Sequence, residues 1–454
     1  MTESTNVTTG LYRTLWRWHF YAGLCVIPFV LLLALSGTVF LFKPQVDRWE
    51  ERAFQALPVN DAVTPAKQVE AALAGFADAQ FNSYRVPDRQ GDAAMVHLAL
   101  PERGAMRDVF VSPQGAVLGS FDPDDRIIAF VRRLHGQLLL GPRGSWLVEL
   151  AASWTIVMLV TGLYLWWPRG RGLAGVLWPR RRALLRDLHA VVGFWVASLA
   201  LVLLLTGLPW ADVWGRAFRA VRVEMGWVQG ASDWSLGGRT APATATTHGG
   251  HDHTAMHDHA APPMDLAMLD AIVAKAAGEH LAFPVLIIPP GAPSDFEGST
   301  STGWTLKSDA QNRPLVTTIT YDSATGAQLS RNGFADQHPI DQVIGYGIAW
   351  HEGQLFGAVN QAIGVATTAA LLTMGTTGFL MWRRRKPQGL LGAPALPQDR
   401  RKPVFVAIAM LLLALFLPLL AASLVLLWLF DLLLPRLSPA AAAWLGMTPG
   451  GNRA

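Results

Sequence analysis

Five long apolar segments constrain this chain more than any other feature of its sequence. They are residues 20–42, 146–167, 190–211, 358–382 and 404–430. A bilayer has a hydrocarbon core about 30 Å thick, which a helix of roughly 20 apolar residues crosses. Only 15% of the residues are charged, against about 25% in a typical soluble protein. The sequence therefore predicts a multi-pass membrane protein. It excludes a disordered chain, a basic nucleic-acid-binding domain and an ordinary cytosolic enzyme.

The cysteine content and the first apolar segment exclude further kinds of protein. Cys25 is the one cysteine, which excludes an intramolecular disulfide and any CxxC metal or redox site. The segment 20–42 is too long for a signal peptide and no small-residue cleavage site follows it, so we interpret it as a retained helix.

Basic residues predict the orientation. Both short loops between spans are rich in arginine and lysine, which favours the cytoplasmic side, and Arg13 and Arg17 place the amino terminus there too. The predicted order is a cytoplasmic amino terminus with the first span (1–42), an outer domain (43–132), the second span (133–168), a basic loop (169–185), the third span (186–211), a second outer domain (212–348), the fourth span (349–382), a basic loop (383–403), the fifth span (404–434) and a tail (435–454).

The chain also repeats itself. His19, Gly23, Ser36 and Gly37 match His189, Gly193, Thr206 and Gly207 at a constant offset of 170. Asp125, Ile128, His135, Gly141, Thr161 and Gly162 match Asp341, Ile344, His351, Gly357, Thr377 and Gly378 at a constant offset of 216. Each copy is a helix, an outer domain and a second helix, and both copies have the same orientation, as in parallel transporter repeats.

The two outer domains have similar patterns. In the first, an amphipathic helix at Pro65–Leu73 precedes strand-like runs at Met95–Leu100, Asp108–Val111 and Ala116–Gly119; in the second, a helix at Leu266–Ala277 precedes strands at Val316–Tyr321 and Ala327–Ser330. The predicted fold is a mainly α membrane protein. It has a duplicated four-helix transmembrane bundle, a fifth C-terminal helix and two small α+β outer domains.

Four repeated histidines are the candidate chemical site. His19 and His189 lie near the cytoplasmic ends of the first and third spans, and His135 and His351 near the opposite ends of the second and fourth. Neutral imidazole binds haem iron axially and is tolerated in apolar surroundings. We therefore predict two b-type haems, one near each membrane face. The residues predicted to give the haems room are Gly23, Gly193, Gly37, Gly207, Gly162 and Gly378, and those predicted to pair with propionates are Arg13, Arg17, Arg186, Arg132 and Arg133.

A structural interpretation of the same residues stays open. Glycine and threonine in membrane helices also serve close helix packing, and an interfacial histidine can simply bond to a neighbour. Glu149 has no repeat counterpart, because Val365 stands at the matching position, and we expect its side chain to snorkel to the interface. His97, His280 and His338 lack repeat support and are interpreted as ordinary.

A second, separate candidate is a low-complexity segment at 240–263. Its histidines, with Asp252 and Asp258 between them, suit weak binding of zinc, copper or nickel. They are His248, His251, His253, His257 and His259.

Several runs resemble one known family. They are LWRWHFYAGLCVIPFVLLLALSGTVFLFK (15–43), LHGQLLLG (134–141), TGLYLWWPR (161–169), WHEGQLFG (350–357) and TGFLMWRRR (377–385). This pattern is similar to the PepSY-associated transmembrane family, which includes iron-regulated inner-membrane proteins and ferric-siderophore reductases of Gram-negative bacteria. The resemblance implies haem, periplasmic PepSY-like domains at 43–132 and 212–348, and a place in the bacterial inner membrane. The histidine-rich segment and the last apolar helix depart from the family pattern.

The resulting functional hypothesis is a haem-dependent electron carrier that reduces a periplasmic ferric siderophore. No nucleophile, acid/base pair or nucleotide-binding glycine loop is evident in the sequence, so the electron donor must be external, a quinol or a cytoplasmic reductant. Two other hypotheses stay open. One is a non-enzymatic periplasmic binding or regulatory protein, and the other is handling of copper, zinc or nickel through the histidine-rich segment.

Overall fold

A computed structural model describes residues 2–102, 105–167, 176–180, 184–227, 266–292, 303–396 and 404–447. The chain forms two compact units, each of which is described by itself. The helical unit comprises residues 1–41, 132–221 and 361–454, and the sheet unit comprises residues 42–131 and 222–360.

The helices and strands follow in chain order. The α-helices are α1 (Thr2–Leu41), α2 (Lys43–Glu50), α3 (Pro65–Ala74), α4 (Ile127–Gln137), α5 (Pro142–Trp166), α6 (Leu184–Gly207), α7 (Asp212–Glu224), α8 (Ala267–Glu279), α9 (Pro339–His351), α10 (Ala358–Arg385), α11 (Val404–Phe416), α12 (Pro418–Leu437) and α13 (Pro439–Trp444). The strands are β1 (Gln80–Arg85), β2 (Ala94–Ala99), β3 (Met106–Val111), β4 (Val117–Phe121), β5 (Val285–Ile288), β6 (Trp304–Ser308), β7 (Thr317–Tyr321) and β8 (Gln328–Gly333).

Within the described residues, five helices are long and apolar enough to cross a membrane. They are Gly10–Leu41, Pro142–Trp166, Leu184–Trp210, Ala358–Arg385 and Pro418–Leu437. The prediction of a multi-pass membrane protein is therefore confirmed.

The second and fourth spans are shorter than predicted. The predicted span 133–168 is divided between α4, which carries His135, and α5, which begins at Pro142. Leu138, Leu139 and Gly141 all have positive φ values between the two helices, a backbone conformation that ends a helix. In the second copy α9 ends at His351 and α10 begins after Gly357, whose φ is 55°. His135 and His351 thus each lie on a separate short helix that precedes the membrane span.

The predicted fifth span, 404–434, is also two helices. Pro418 has no N–H to donate, and the buried Leu417 adopts an extended conformation (φ −119°, ψ 91°), so α11 ends before the proline and α12 begins at it.

The contacts of α11 and α12 show that the chain reverses direction between these two helices. Val406 at the start of this pair packs with Leu11 and Leu15 of α1. At its middle, the carbonyl of Phe416 accepts a hydrogen bond from Trp214 Nε1 (3.0 Å). Beyond its end, the carbonyl of Leu445 accepts one from the Tyr21 hydroxyl (2.5 Å). The pair therefore starts and finishes at the amino-terminal end of α1 instead of making the single crossing that the sequence predicts.

One antiparallel sheet dominates the sheet unit. Its strand order is β4-β3-β2-β1-β5-β6-β7-β8, which is symmetric about the pairing of β1 with β5. That central pairing is short, with Tyr84 opposite Ile287 and Arg85 opposite Leu286. The two α+β domains predicted from the sequence, one in each repeat, therefore share a continuous sheet.

A common core lies under one face of this sheet. In β2, β3, β5, β6 and β7, alternate residues point into it, among them Val96, Val109, Ile287 and Leu306, all fully buried, as the two-residue period of a strand requires. Helices α3 and α8 cover this core, and Asp270 Oδ1 of α8 accepts a hydrogen bond from the first turn of α3, at the backbone N–H of Ala66 (2.8 Å).

Candidate functional site

Two of the four repeated histidines lie side by side in the helical unit. His19 on α1 and His189 on α6 have their ring centres 6.4 Å apart, with the ring planes at 88° to one another. This is the pair that the first repeat offset predicts.

The Nδ1 atom of each ring contacts a threonine on a neighbouring helix. His19 Nδ1 lies 3.1 Å from Thr161 Oγ1 of α5. His189 Nδ1 lies 3.2 Å from Thr377 Oγ1 of α10 and 3.0 Å from the backbone carbonyl of Met374.

These contacts define the protonation of the rings. Thr161 and Thr377 each donate their hydroxyl proton to the carbonyl four residues earlier, at 2.8 and 2.6 Å. Each hydroxyl oxygen can therefore only accept from the imidazole, so Nδ1 carries the proton. Nε2 keeps its lone pair, and such an Nδ1–H bond is how metal-binding histidines are usually oriented.

The glycine after each threonine makes room for the ring. A Cβ atom on Gly162 would lie 3.1 Å from His19 Cε1, and one on Gly378 would lie 3.4 Å from His189 Cε1. The repeated Thr-Gly pair is therefore a seat for an imidazole. The sequence singled out these glycines as residues that give a haem room, and the structure places each of them against a histidine ring.

His135 has the same kind of seat, formed near the carboxyl-terminal end of α1. Its Nδ1 lies 3.0 Å from Ser36 Oγ, and Ser36 Oγ donates to the carbonyl of Leu32 at 2.8 Å. A Cβ on Gly37 would lie 3.1 Å from His135 Cε1. The repeat thus builds three imidazole seats of one design inside the helical unit. His351, the fourth histidine, is half-buried at the end of α9 and belongs to the sheet unit.

The other repeated glycines differ from these. Gly23 and Gly193 face methionines, and added Cβ atoms would lie 3.6 Å from Met158 Cε and 3.2 Å from Met374 Cε. Met158 and Met374 are themselves 216 residues apart, the second repeat offset. Extending the repeat by one turn would have found them in the sequence. Gly207 is the last residue of α6.

Of the arginines predicted to bind propionates, Arg17 is committed to other partners. It is buried, and it donates to the carbonyls of Pro394 and Gly446 and to the Tyr21 hydroxyl. Arg13, Arg186 and Arg132 are exposed and Arg133 is half-buried. Arg17 therefore fastens the carboxyl-terminal segment to α1.

Glu149 does not snorkel. It is 2% exposed, and its carboxylate accepts hydrogen bonds from the backbone N–H groups of Val213 (3.0 Å) and Trp214 (3.2 Å). These are unpaired donors in the first turn of α7, where the helix dipole favours a negative charge. Glu149 therefore anchors α7 to α5.

The three histidines that the repeat does not match lie in strands or at helix ends of the sheet unit. His97 pairs with Asp108 at 2.7 Å between neighbouring strands, His338 caps the amino terminus of α9, and His280 ends α8 in a left-handed conformation. The histidine-rich run His248–His259 lies outside the described residues. Among the residues that the structure describes, no group of three or more histidine, cysteine or acidic side chains could hold a metal ion.

Comparison with known proteins identifies the family. The model of the PepSY-associated TM region matches residues 16–385. No curated protein matches the chain. The family match includes all four repeated histidines, all four repeated Ser/Thr-Gly pairs, most of the helical unit and the whole sheet unit. Since it covers more than half of the 454 residues, the chain belongs to the PepSY-associated TM family.

Proposed function

We propose that this protein is a haem-dependent membrane reductase that delivers electrons to a ferric siderophore in the periplasm. In this proposal His19 and His189 hold one haem, and the repeat pattern of the sequence assigns His135 and His351 to a second. The observation that carries the proposal is the 6.4 Å separation of the His19 and His189 ring centres.

That separation agrees with two imidazoles bound to one metal. A histidine nitrogen binds a metal at about 2 Å. Two rings on opposite sides of one ion therefore hold their coordinating nitrogens about 4 Å apart and their centres on the order of 6 Å apart.

The protonation of the rings supports the same function. With Nδ1–H held by Thr161 or Thr377, Nε2 is the nitrogen available to iron. An oriented Nδ1–H bond also raises the basicity of the ligand. Neutral nitrogen donors of this kind suit haem iron, and the described residues offer no thiolate at the site.

Haem bound at these seats would supply a one-electron couple. The chain's own residues would orient the ligands, exclude water from the bundle and tune the potential through the threonine hydroxyls. His19 and Ser36, which contacts His135, lie 17 residues apart on α1, about 25 Å along the helix. The basic residues at 383–386 favour the His19 end as the cytoplasmic one, where a quinol or a cytoplasmic reductant would donate electrons.

Iron release follows from ligand chemistry. Siderophores bind iron through hard oxygen donors, which hold Fe(II) far less well than Fe(III). Reduction of the chelated ion by one electron therefore frees it in the compartment that the two large outer segments share.

A visible spectrum of the purified full-length protein tests this proposal. We expect a Soret band that sharpens on dithionite reduction to a low-spin, six-coordinate spectrum. His19→Ala or His189→Ala should each remove about half of the haem, and His135→Ala or His351→Ala the other half. His338→Asn, which keeps the helix cap, is the control and should keep all of it.

Two outcomes would oppose the proposal. Haem content unchanged in all four alanine variants would refute the ligand assignment. A protein without any Soret band after haem-replete expression would favour the non-enzymatic binding or regulatory function. Deletion of 248–259 separately tests metal handling by that segment: loss of function with haem retained would support it.

A further inference from the structure

A cavity of about 360 Å³ lies in the helical unit, where the amino-terminal part of α1 meets the carboxyl-terminal end of α10. Its walls come from α1, from α10 and from the segment that follows α10. The lining includes Trp16, Phe20, Arg385, Leu390, Ala393 and Pro394.

The segment that follows α10, residues 386–396, is held in place by three separate contacts. Trp382 Nε1 donates to the carbonyl of Leu391 at 2.9 Å. The N–H of Leu391 donates to the carbonyl of Trp444 in α13 at 3.0 Å. Arg17 donates to the carbonyl of Pro394. Because its wall is fixed to α1, α10 and α13, the cavity is a built feature of the fold.

One charged side chain lines the cavity. Arg385 donates through Nε to the carbonyl of Met381 at 3.2 Å, and its guanidinium carbon lies 6.0 Å from the centre of the Trp16 ring. No described residue accepts a hydrogen bond from its two Nη groups. Arg383, Arg384 and Lys386 beside it are all exposed, and none of the described residues that line the cavity is a carboxylate. The mouth is therefore strongly positive, while the walls are apolar and aromatic.

We propose that this cavity binds an acidic phospholipid from the leaflet that this end of the bundle faces. The phosphate would accept hydrogen bonds from the free Nη groups of Arg385, since a guanidinium fork matches phosphate oxygens. The glycerol and the first acyl carbons would pack on Trp16, Phe20 and Leu390. Basic pockets between membrane helices that flank apolar surface are a known way of binding acidic headgroups.

The charge of the site decides between a lipid and a neutral amphiphile. A neutral quinone gains little from Arg385 and its three cationic neighbours. The cavity also lacks a carboxylate or histidine among its lining residues to take protons from a quinol. Trp16 is 36% exposed, so the cavity opens outward and a lipid can enter sideways. This inference does not depend on haem or on electron transfer.

Native mass spectrometry of the full-length protein tests the inference. The protein would be titrated with phosphatidylglycerol or phosphatidylcholine of equal chain length. One well-placed cation near a membrane surface contributes about 1 kcal/mol, so we expect about fivefold tighter binding of phosphatidylglycerol. Arg385→Gln should remove that preference. Arg383→Gln changes the net charge equally without lining the cavity, and should keep it.

Several outcomes would overturn the inference. One is equal binding of the two lipids by the unaltered protein, and another is an equal loss of preference in Arg385→Gln and Arg383→Gln. A third is displacement of phosphatidylglycerol by a short-chain quinone at equal concentration, which would assign the cavity to a quinone. Arg385→Lys keeps the charge and should retain part of the preference, which distinguishes loss of phosphate binding from misfolding.

Discussion

The two units of this protein use the same duplication in different ways. In the helical unit, matched residues of the two copies meet through side chains, with the rings of His19 and His189 6.4 Å apart. In the sheet unit, the copies join through the backbone of β1 and β5 and share one core. Side-chain pairing leaves a gap between two imidazoles, which the proposed haem would fill. Backbone pairing leaves no gap, and it makes the two copies one structural element.

The largest effect is expected from a substitution in the core that the two copies share. Trp304 is almost fully buried between strands and helices of the sheet unit, and Trp304→Ala should cost about 3–5 kcal/mol of unfolding free energy. Because the core is continuous, limited proteolysis should cut the strands of both copies, β1 to β4 as well as β5 to β8. Leu329→Ala, at an exposed position on β8, is the control. Cleavage confined to the second copy would show that the two halves are independent.

The next effect concerns the imidazole seats. Thr161→Val and Thr377→Val each remove the oxygen that contacts a histidine Nδ1. Loss of such a partner typically weakens binding about 10- to 100-fold, so we expect haem retention to fall by about tenfold in each variant. The matched control is Thr373→Val, since that hydroxyl contacts only the carbonyl of Ala369. Effects that differ widely between the two seats would contradict their equivalence.

A smaller effect is expected at Glu149, a residue that the second copy of the repeat lacks. Glu149 holds the start of α7, and Val365 occupies its repeat position. Glu149→Gln keeps the size but removes the charge and one acceptor, so it should cost about 1–2 kcal/mol. Protease accessibility of α7 in detergent is the measurement. Glu224→Gln, exposed at the other end of α7, should change little; equal effects would assign the loss to net charge.

The smallest effect depends on pH and lies in the sheet unit. Burial raises the pKa of Glu51, but Arg85 and Arg126, which bind its carboxylate at 2.6 and 2.8 Å, outweigh it and hold that pKa below the usual 4.5. Such a group stabilises the fold above its unfolded pKa, and the stabilisation is lost as the pH falls through the folded value. Thermal unfolding of the sheet unit should therefore occur at lower temperature below about pH 4.5.

A matched pair of variants isolates this contribution. Glu51→Gln should flatten the pH dependence in that range, and Glu70→Gln, exposed on α3, should leave it unchanged. A Glu51→Gln protein with the full original pH dependence would assign the effect to other groups.

Local patterns in the sequence predicted most of the helical unit. The length of the apolar segments identified the spans, and the repeat offset of 170 was enough to pair His19 with His189. The role of Gly162 and Gly378 was not predictable, because a glycine's pattern does not say whether a ring or a cofactor lies against it. The break before Pro418 was missed since the apolar run continues across it, although a proline there is a local signal.

Long-range pairings were the harder part. Strands β2, β3, β4, β7 and β8 were predicted with ends within three residues of those observed, but β1, β5 and β6 were not predicted. Strands β1 and β5 pair with each other at the seam between the two copies, so the partner of each lies in the other repeat. Glu149 was misinterpreted for the same reason: its partners, Val213 and Trp214, are more than sixty residues away in sequence. The sequence around Glu149 shows that a carboxylate lies within an apolar segment, but it does not show which distant backbone groups bind it.

The seam also has a consequence for biosynthesis. Strand β1 ends at Arg85 and β5 begins at Val285, so 200 residues, including two membrane spans, are made before β1 finds its neighbour. At about 5–20 residues per second, that is on the order of 10–40 s on the ribosome. During this time the newborn first half presents an unpaired strand edge, which invites wrong partners. That edge of β1 stays unpaired until β5 has been made, so correct folding of the first copy depends on the synthesis of the second.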